Sequence, residues 1–277
     1  MAEIMEQGIL IRDVEAKNIM TKSSLPVGGY SVNPYVGCTH GCKYCYASFM
    51  KRFTGHTEPW GTFLDVKHWP VIQNPQKYKG QRVVIGSVTD GYLPQEERFG
   101  NTRRLLEQLK DSGAEILICT KSDLVVRDID LLREMGKVTV SWSVNTLDEG
   151  FRADMDHAVS IERRLAAMKQ VYDAGIRTVC FISPVFPGIT DFEAIFQKVR
   201  YQCDLVWLEN LNLRGGFKQG KNTRAYFLCI APFTTKKIGA IFAIWRGRLW
   251  NWPGRIIASL WIMSCPMVGQ RQGTRQS

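Results

Sequence analysis

Residues 220–277 contain no Asp or Glu. That absence decides where the charge of the chain lies. Of its 36 Lys and Arg, nine fall in this segment (Lys221, Arg224, Lys236, Lys237, Arg246, Arg248, Arg255, Arg271 and Arg275). Residues 1–219 therefore hold 27 basic residues against all 26 acidic ones. A nucleic-acid footprint needs basic residues concentrated on the binding unit, so the formal net charge of +10 gives the body of the chain no such footprint. Long apolar runs are also missing. Ile238–Trp245 is eight residues long, whereas a spanning helix needs roughly 20, which excludes a membrane anchor there and leaves at most an amphipathic segment lying on a surface. The stretch Met1–Gln7 carries Glu3 and Glu6 and no apolar run, so a secretory signal is missing as well. With eight cysteines, this points to a reducing compartment, and the cytoplasm is the expected location. Histidine is scarce, at four residues. His40 and His157 have no second histidine at ligand spacing, and each is expected as a surface or hydrogen-bonding residue.

Against these absences stands a dense group of thiols. Val36-Gly37-Cys38-Thr39-His40-Gly41-Cys42-Lys43-Tyr44-Cys45-Tyr46 puts three cysteines within eight residues. Soft thiolates on one tight loop are the donor set of iron–sulfur clusters, and a cubane held by three cysteines leaves one iron open for a ligand. A structural zinc closes its shell with four ligands, so a zinc reading needs His40 as the fourth. Cys119 and Cys180 sit in apolar strand-like runs, where a free cysteine packs as a small hydrophobe. Cys203, Cys229 and Cys265 have no ligand-like spacing.

From Gln81 onward, apolar runs alternate with helical patterns. Strands are expected at Arg82–Ser87, Glu115–Thr120, Val138–Val144, Thr178–Ser183 and Leu205–Asn210, with a first strand over Tyr30–Val36 feeding the cysteine loop. Helices are expected at Asn101–Ser112, Asp128–Glu134, Ile161–Ala174 and Phe192–Val199, the last capped by Thr190-Asp191. Six βα units imply an α/β fold with a parallel sheet and right-handed crossovers. A partial (β/α)6 TIM-like barrel is the natural closure. The expected organisation is an N-terminal extension over 1–29, the barrel core over 30–219 and a basic, tryptophan-rich tail over 220–277.

Chemistry in such barrels collects at the C-terminal ends of strands. There the sequence offers Gly86-Ser87-Val88-Thr89-Asp90-Gly91-Tyr92, either a close approach to a cofactor or a tight turn capped by Asp90. It also offers Thr120-Lys121-Ser122, whose lysine can reach a carboxylate. Ser141-Trp142-Ser143-Val144-Asn145-Thr146 carries hydroxyl and amide groups suited to a ribose. Glu209-Asn210 either orients a substrate or caps a turn.

The C-x3-C-x2-C loop with Tyr44 before the third cysteine resembles the signature of the radical S-adenosylmethionine (SAM) superfamily. The wider run Asn33-Pro34-Tyr35-Val36-Gly37-Cys38 through Cys45-Tyr46-Ala47 is similar to the spore photoproduct lyase and DNA repair photolyase-like branch, most of all to the group called radical SAM mobile pair protein B. The resemblance implies a 4Fe–4S cluster on Cys38, Cys42 and Cys45 whose open iron binds SAM, and reductive cleavage of SAM to a 5′-deoxyadenosyl radical. It carries SAM-contacting roles onto Lys121 of the T-K pair and Ser143 of S-x-N-T, with Asp90 and Asn145 beside them, and implies that Tyr44 packs on the adenine. Tyr44 and Tyr46 match aromatic positions of the lyase loop. It also implies a reductant such as flavodoxin or ferredoxin, and a paired radical SAM protein. A nucleic-acid base is the substrate class it favours; peptide or protein modification and a non-catalytic iron–sulfur or zinc protein are the alternatives. One position departs. The lyase's C-T-S-D motif corresponds here to Ser87-Val88-Thr89-Asp90, and a serine O–H bond is too strong to replace a thiol as hydrogen-atom donor. Repair of spore photoproduct itself is therefore not expected.

The tail holds four of the eight tryptophans, at positions 245, 250, 252 and 261. Codons compatible with Leu260–Gly269, read two bases later, spell V-D-N-E-L-P-Y-G-R, and Cys229–Gly254 likewise yields stop-free, acid-containing, helix-like sequence similar to the family's own C-terminal region. The expectation is a frameshift near Gly220 that leaves an out-of-frame, poorly ordered tail. Gene codons that cannot yield this second reading would refute it.

Overall fold

The computed structural model describes residues 3–23, 28–186 and 188–210. The strands are β1 (Glu3–Glu6), β2 (Ile9–Glu15), β3 (Thr21–Lys22), β4 (Tyr30–Val32), β5 (Tyr35–Val36), β6 (Phe63–His68), β7 (Arg82–Ile85), β8 (Glu115–Thr120), β9 (Val138–Ser143), β10 (Arg177–Val185) and β11 (Leu205–Asn210). The helices are α1 (Glu96–Phe99), α2 (Asn101–Leu109), α3 (Ile129–Glu134), α4 (Glu149–Met155), α5 (Ile161–Asp173) and α6 (Phe192–Val199).

One sheet runs β11-β10-β9-β8-β7-β4-β3, and every pair from β4 to β11 is parallel. Strands that neighbour one another in chain order, each crossing over through helical segments, curl into the wall of a partial barrel rather than a doubly wound sheet. Alternation along the strands sorts the side chains. Val83, Ile85, Ile116, Ile118, Val140, Trp142, Cys180, Ile182, Val206 and Leu208 point outward into the main core. There they meet Leu105, Leu106 and Leu109 of α2, Leu165, Met168 and Val171 of α5, and Ile195, Phe196 and Val199 of α6. Each such side chain contributes roughly 1.5–3 kcal/mol by leaving water. The alternate residues Val84, Leu117, Cys119, Ser143, Phe181, Ser183, Trp207 and Glu209 line a cavity inside the barrel.

The expected first strand, Tyr30–Val36, is two strands. β4 pairs with β7, whereas β5 pairs antiparallel with β6 in a second sheet of order β1-β2-β6-β5. The break falls at Asn33-Pro34: proline has no N–H for the ladder, and the Asn33 amide turns to Ser87 Oγ at 3.1 Å. Residues 3–15 pair across this small sheet, β2 running parallel to β6. Asp148, Ser160 and Asp191 cap α4, α5 and α6, accepting from Phe151, Arg163 and Ala194 N–H at 3.0, 3.3 and 3.0 Å. Helix α2 ends at Leu109, short of the expected Ser112. No helix among the described residues is long and apolar enough to cross a membrane. The tail from residue 220, with its expected frameshift, lies outside the described residues.

Candidate functional site

Strand β5 delivers the chain into two consecutive turns. Gly41 N–H donates to the Cys38 carbonyl at 3.2 Å and Cys45 N–H to the Cys42 carbonyl at 3.0 Å. Together they turn Cys38, Cys42 and Cys45 toward the same barrel cavity. Burial pushes the Cys38 thiol well up, Cys42 to about 12, and Cys45 upward. Such thiols become ligands only where a positive centre compensates the lost protons. Among the described residues no three His, Cys, Asp or Glu groups converge as they would on one metal ion. Three soft donors spread over one cavity wall fit a cluster that takes each cysteine on a different iron.

Two buried networks hold this loop. Asp90 Oδ2 accepts from Lys121 N–H at 2.7 Å and from His40 Nε2 at 3.1 Å; its Oδ1 accepts from Thr120 Oγ1 at 2.8 Å and Tyr92 N–H at 2.9 Å. Burial alone would raise the Asp90 carboxyl, but His40 and these N–H donors outweigh it and hold it below the usual range. On the other side, Tyr44 Oη donates to Asp156 Oδ2 at 3.0 Å, and Arg164 Nη2 donates to Asp156 Oδ1 at 2.7 Å. Arg164 also donates to the Ser143 carbonyl at 3.2 Å, which ties the cysteine loop to the end of β9. Backbone bonds add to this bracket, Lys43 N–H to the Met155 carbonyl at 2.9 Å and His157 N–H to the His40 carbonyl at 2.8 Å.

Of the residues expected from sequence, Cys38, Cys42, Cys45, Tyr44, Tyr46, Asp90, Lys121 and Ser143 all line this cavity. Lys121 Nζ lies 5.6 Å from the Tyr44 ring centroid. Its burial favours the neutral amine, but Cys42 and Asp156 outweigh that and raise its pKa. The Tyr46 hydroxyl donates to the Ser87 carbonyl. Asn145 is brought near but not to the cavity wall: it is buried behind it, with Nδ2 3.5 Å from the Ser183 carbonyl. His40, expected at the surface or in a hydrogen bond, is 3% exposed and bonded. Cys180 is in the core as expected, but Cys119 is not: β8 turns it inward to the cavity. Ser87 shares that cavity, with its hydroxyl bonded to Ser31 and Asn33. Gly86 lines the cavity as well, and at φ +87 an added Cβ would lie 2.4 Å from the Cys119 carbonyl oxygen. Asp156, Arg164 and Trp60 carry no motif; only their separation from the loop in sequence and their later burial single them out.

The model of the radical SAM superfamily matches residues 32–199, more than half of the chain. The chain belongs to the radical SAM superfamily. An uncharacterised protein of Methanocaldococcus jannaschii is 34% identical over 212 residues, covering 76% of this chain and 81% of that protein. A protein of Pseudomonas phage M6 named radical SAM Nalpha-GlyT isomerase is 25% identical over 201 residues, covering 70% of this chain and 39% of its own. Among solved structures, a spore photoproduct lyase mutant with bound AdoMet and dinucleoside spore photoproduct aligns at TM-score 0.58 and 17% identity, covering 81% of this chain and 67% of the lyase. The fold is thus the partial barrel of radical SAM enzymes. This radical SAM protein is an enzyme, and its cofactors are a 4Fe–4S cluster and SAM. Its membership displaces the non-catalytic alternative.

Proposed function

We propose that Cys38, Cys42 and Cys45 hold the cluster, that Tyr44, Asp90, Lys121 and Ser143 surround SAM with Asn145 buried behind them, and that the substrate is a nucleobase presented to the far wall of the cavity. When bound, the cluster and SAM supply a 5′-deoxyadenosyl radical that abstracts hydrogen. Lys121 offers a cation on the cavity side of Tyr44, suited to a carboxylate. The Ser143 hydroxyl, on a strand end braced by Arg164, suits a ribose. Tyr46, tied to the Ser87 carbonyl, closes the loop side of the cavity and helps exclude water.

The observation that carries the substrate reading is the wall opposite the cysteines. Phe181 and Trp207 meet edge to face at 6.1 Å, and above them the Ser183 hydroxyl donates to the Glu209 carboxylate. An aromatic surface beside a carboxylate acceptor fits a planar heterocycle with N–H donors, since bases stack on aromatics and Glu accepts from their amino groups. The near-neutral body of the chain suits recognition of a base more than of a long phosphate backbone. Ser87, with its hydroxyl bonded to Ser31 and Asn33, argues against the lyase's last step. A flavodoxin or ferredoxin is the proposed reductant.

Anaerobic reconstitution tests this. Iron and sulfide near four per chain are expected, as the cubane implies, with reductive SAM cleavage to 5′-deoxyadenosine that oligonucleotides stimulate and peptides do not. One zinc per chain without cleavage would sink the cluster assignment. Stimulation by peptides alone would replace the nucleobase with a peptide side chain.

A further inference from the structure

Two carboxylates line the cavity, Asp90 and Glu209. Asp90 is fully occupied, holding His40, Thr120, Lys121 and Tyr92 as donors. Glu209 is not. Its Oε2 accepts from the Ser183 hydroxyl, and its Oε1 accepts no hydrogen bond among the described residues. A serine hydroxyl has one hydrogen, and Ser183 gives it to Glu209, so its oxygen offers only lone pairs to anything beyond. Asn145 Nδ2 donates to the Ser183 carbonyl at 3.5 Å and ties down this end of β10. The far wall therefore presents a fixed row of acceptors, Glu209 Oε1, Glu209 Oε2 and Ser183 Oγ.

Phe181 and Trp207 are register partners on β10 and β11, and Ser183 and Glu209 stand two residues further along, on the same inward faces. A base stacked on this aromatic pair turns an edge toward the acceptors, the way extruded bases are commonly read. The edges of the bases differ there. Guanine carries two adjacent donors, N1–H and its 2-amino group, which a carboxylate takes in parallel as it takes the two arms of a guanidinium. Adenine and cytosine set one amino group beside a ring nitrogen that accepts, and thymine sets one ring N–H between two carbonyls. Against a row of acceptors each of these three brings acceptor onto acceptor, and a polar group left unpaired in a buried site is what rejects a wrong substrate.

We propose that Glu209, held in place by Ser183, selects guanine as the base at the far wall. The inference rests on the nucleobase reading above and narrows it to one base. Burial raises the Glu209 carboxyl against the pull of Ser183 and Lys121, and two N–H donors from guanine supply the compensation that the protein itself leaves out. Ser183 acts as a positioning residue, because its hydrogen fixes the carboxylate and turns its own oxygen into a further acceptor.

The experiment measures, by fluorescence anisotropy on the anaerobically reconstituted full-length chain, the binding of labelled single strands of abasic residues that carry one central base. That base is guanine, adenine, cytosine, thymine or hypoxanthine, the last keeping N1–H and lacking the 2-amino group. Guanine is expected to bind about tenfold or more tightly than adenine, cytosine or thymine, and hypoxanthine to lose most of that margin. Glu209→Gln turns one acceptor into a donor and should cut the preference about tenfold. Another base matching guanine, or hypoxanthine binding as tightly as guanine, overturns the inference and leaves the nucleobase reading standing; this comparison needs wild type alone and decides the matter even where the variant does not fold. A guanine preference that survives in folded Glu209→Gln also overturns it, since the selector then lies elsewhere. If no strand binds, the nucleobase reading itself fails and the choice of guanine falls with it.

Discussion

The two ends of the barrel cavity are built differently. At the cysteine end nearly every polar side chain is tied down: Asp90 takes four donors, and Asp156 takes Tyr44 and Arg164. At the β10–β11 end, Glu209 is held by Ser183 on the neighbouring strand, and burial has raised its pKa. The loop end resembles a preorganised socket, in which geometry is stored as satisfied hydrogen bonds. The far end keeps a carboxylate whose charge is under-compensated, which is how a binding surface trades stability for recognition.

The largest effect should come from the cysteines proposed as ligands. Cys42→Ala is expected to lose essentially all cluster iron and all SAM cleavage, read by iron analysis and 5′-deoxyadenosine release; full iron retention would remove Cys42 from the site. Next is the bracket. Asp156→Ala leaves Arg164, 0% exposed, as an uncompensated buried charge. A loss of about 3–5 kcal/mol is expected, measured by denaturant unfolding of the apo-protein, with Asp156→Asn milder. Tyr44→Phe deletes one donor to the same carboxylate and should cost about 1–3 kcal/mol. Because both changes act through one hydrogen bond, the double mutant should fall short of their sum. Strict additivity would mean that Tyr44 and Asp156 do not work together.

The smallest effect tests the far end, and its sign is the point. A carboxyl whose folded pKa is raised, here chiefly by burial and against the pull of Ser183 and Lys121, adds stability below its unfolded pKa and loses it as pH rises through the folded pKa. Glu209→Gln removes the charge that folding disfavours. Its Tm at pH 7 should exceed wild type by at most a few degrees, and the difference should vanish as pH falls below the ordinary glutamate value of 4.5. A fall in Tm at pH 7 would mean that Glu209 is as fully compensated as Asp90, and the contrast between the two ends would be lost.

Much of this was legible along the chain. The βα rhythm located all the parallel strands from Arg82 onward, because strands buried on both faces read as continuous apolar runs. The cysteine spacing is local covalent geometry, so the turns that gather the thiols were readable before any fold. Strand β6, Phe-Leu-Asp-Val-Lys-His, was not legible: its Asp65 and Lys67 interrupt the apolar pattern, and it needs β2 and β5 to make it a strand. The inward turn of Cys119 was equally hidden, since both faces of its strand are apolar and period alone cannot say which face meets helices.

By itself the sequence determined the fold class, the three-cysteine loop and the strand ends where Lys121 and Ser143 stand, because each of these rests on local spacing and pattern. Only the tertiary structure decided what surrounds them. Tyr44 meets Asp156 across 112 residues, and His40 meets Asp90 across 50. Such pairs are settled when the barrel closes and buried polar groups must find partners or stay unpaired at a cost. The same closure packed Trp60 on Phe63 in one cluster with Cys38, and left Phe181, Ser183, Trp207 and Glu209 lining the cavity with the thiols.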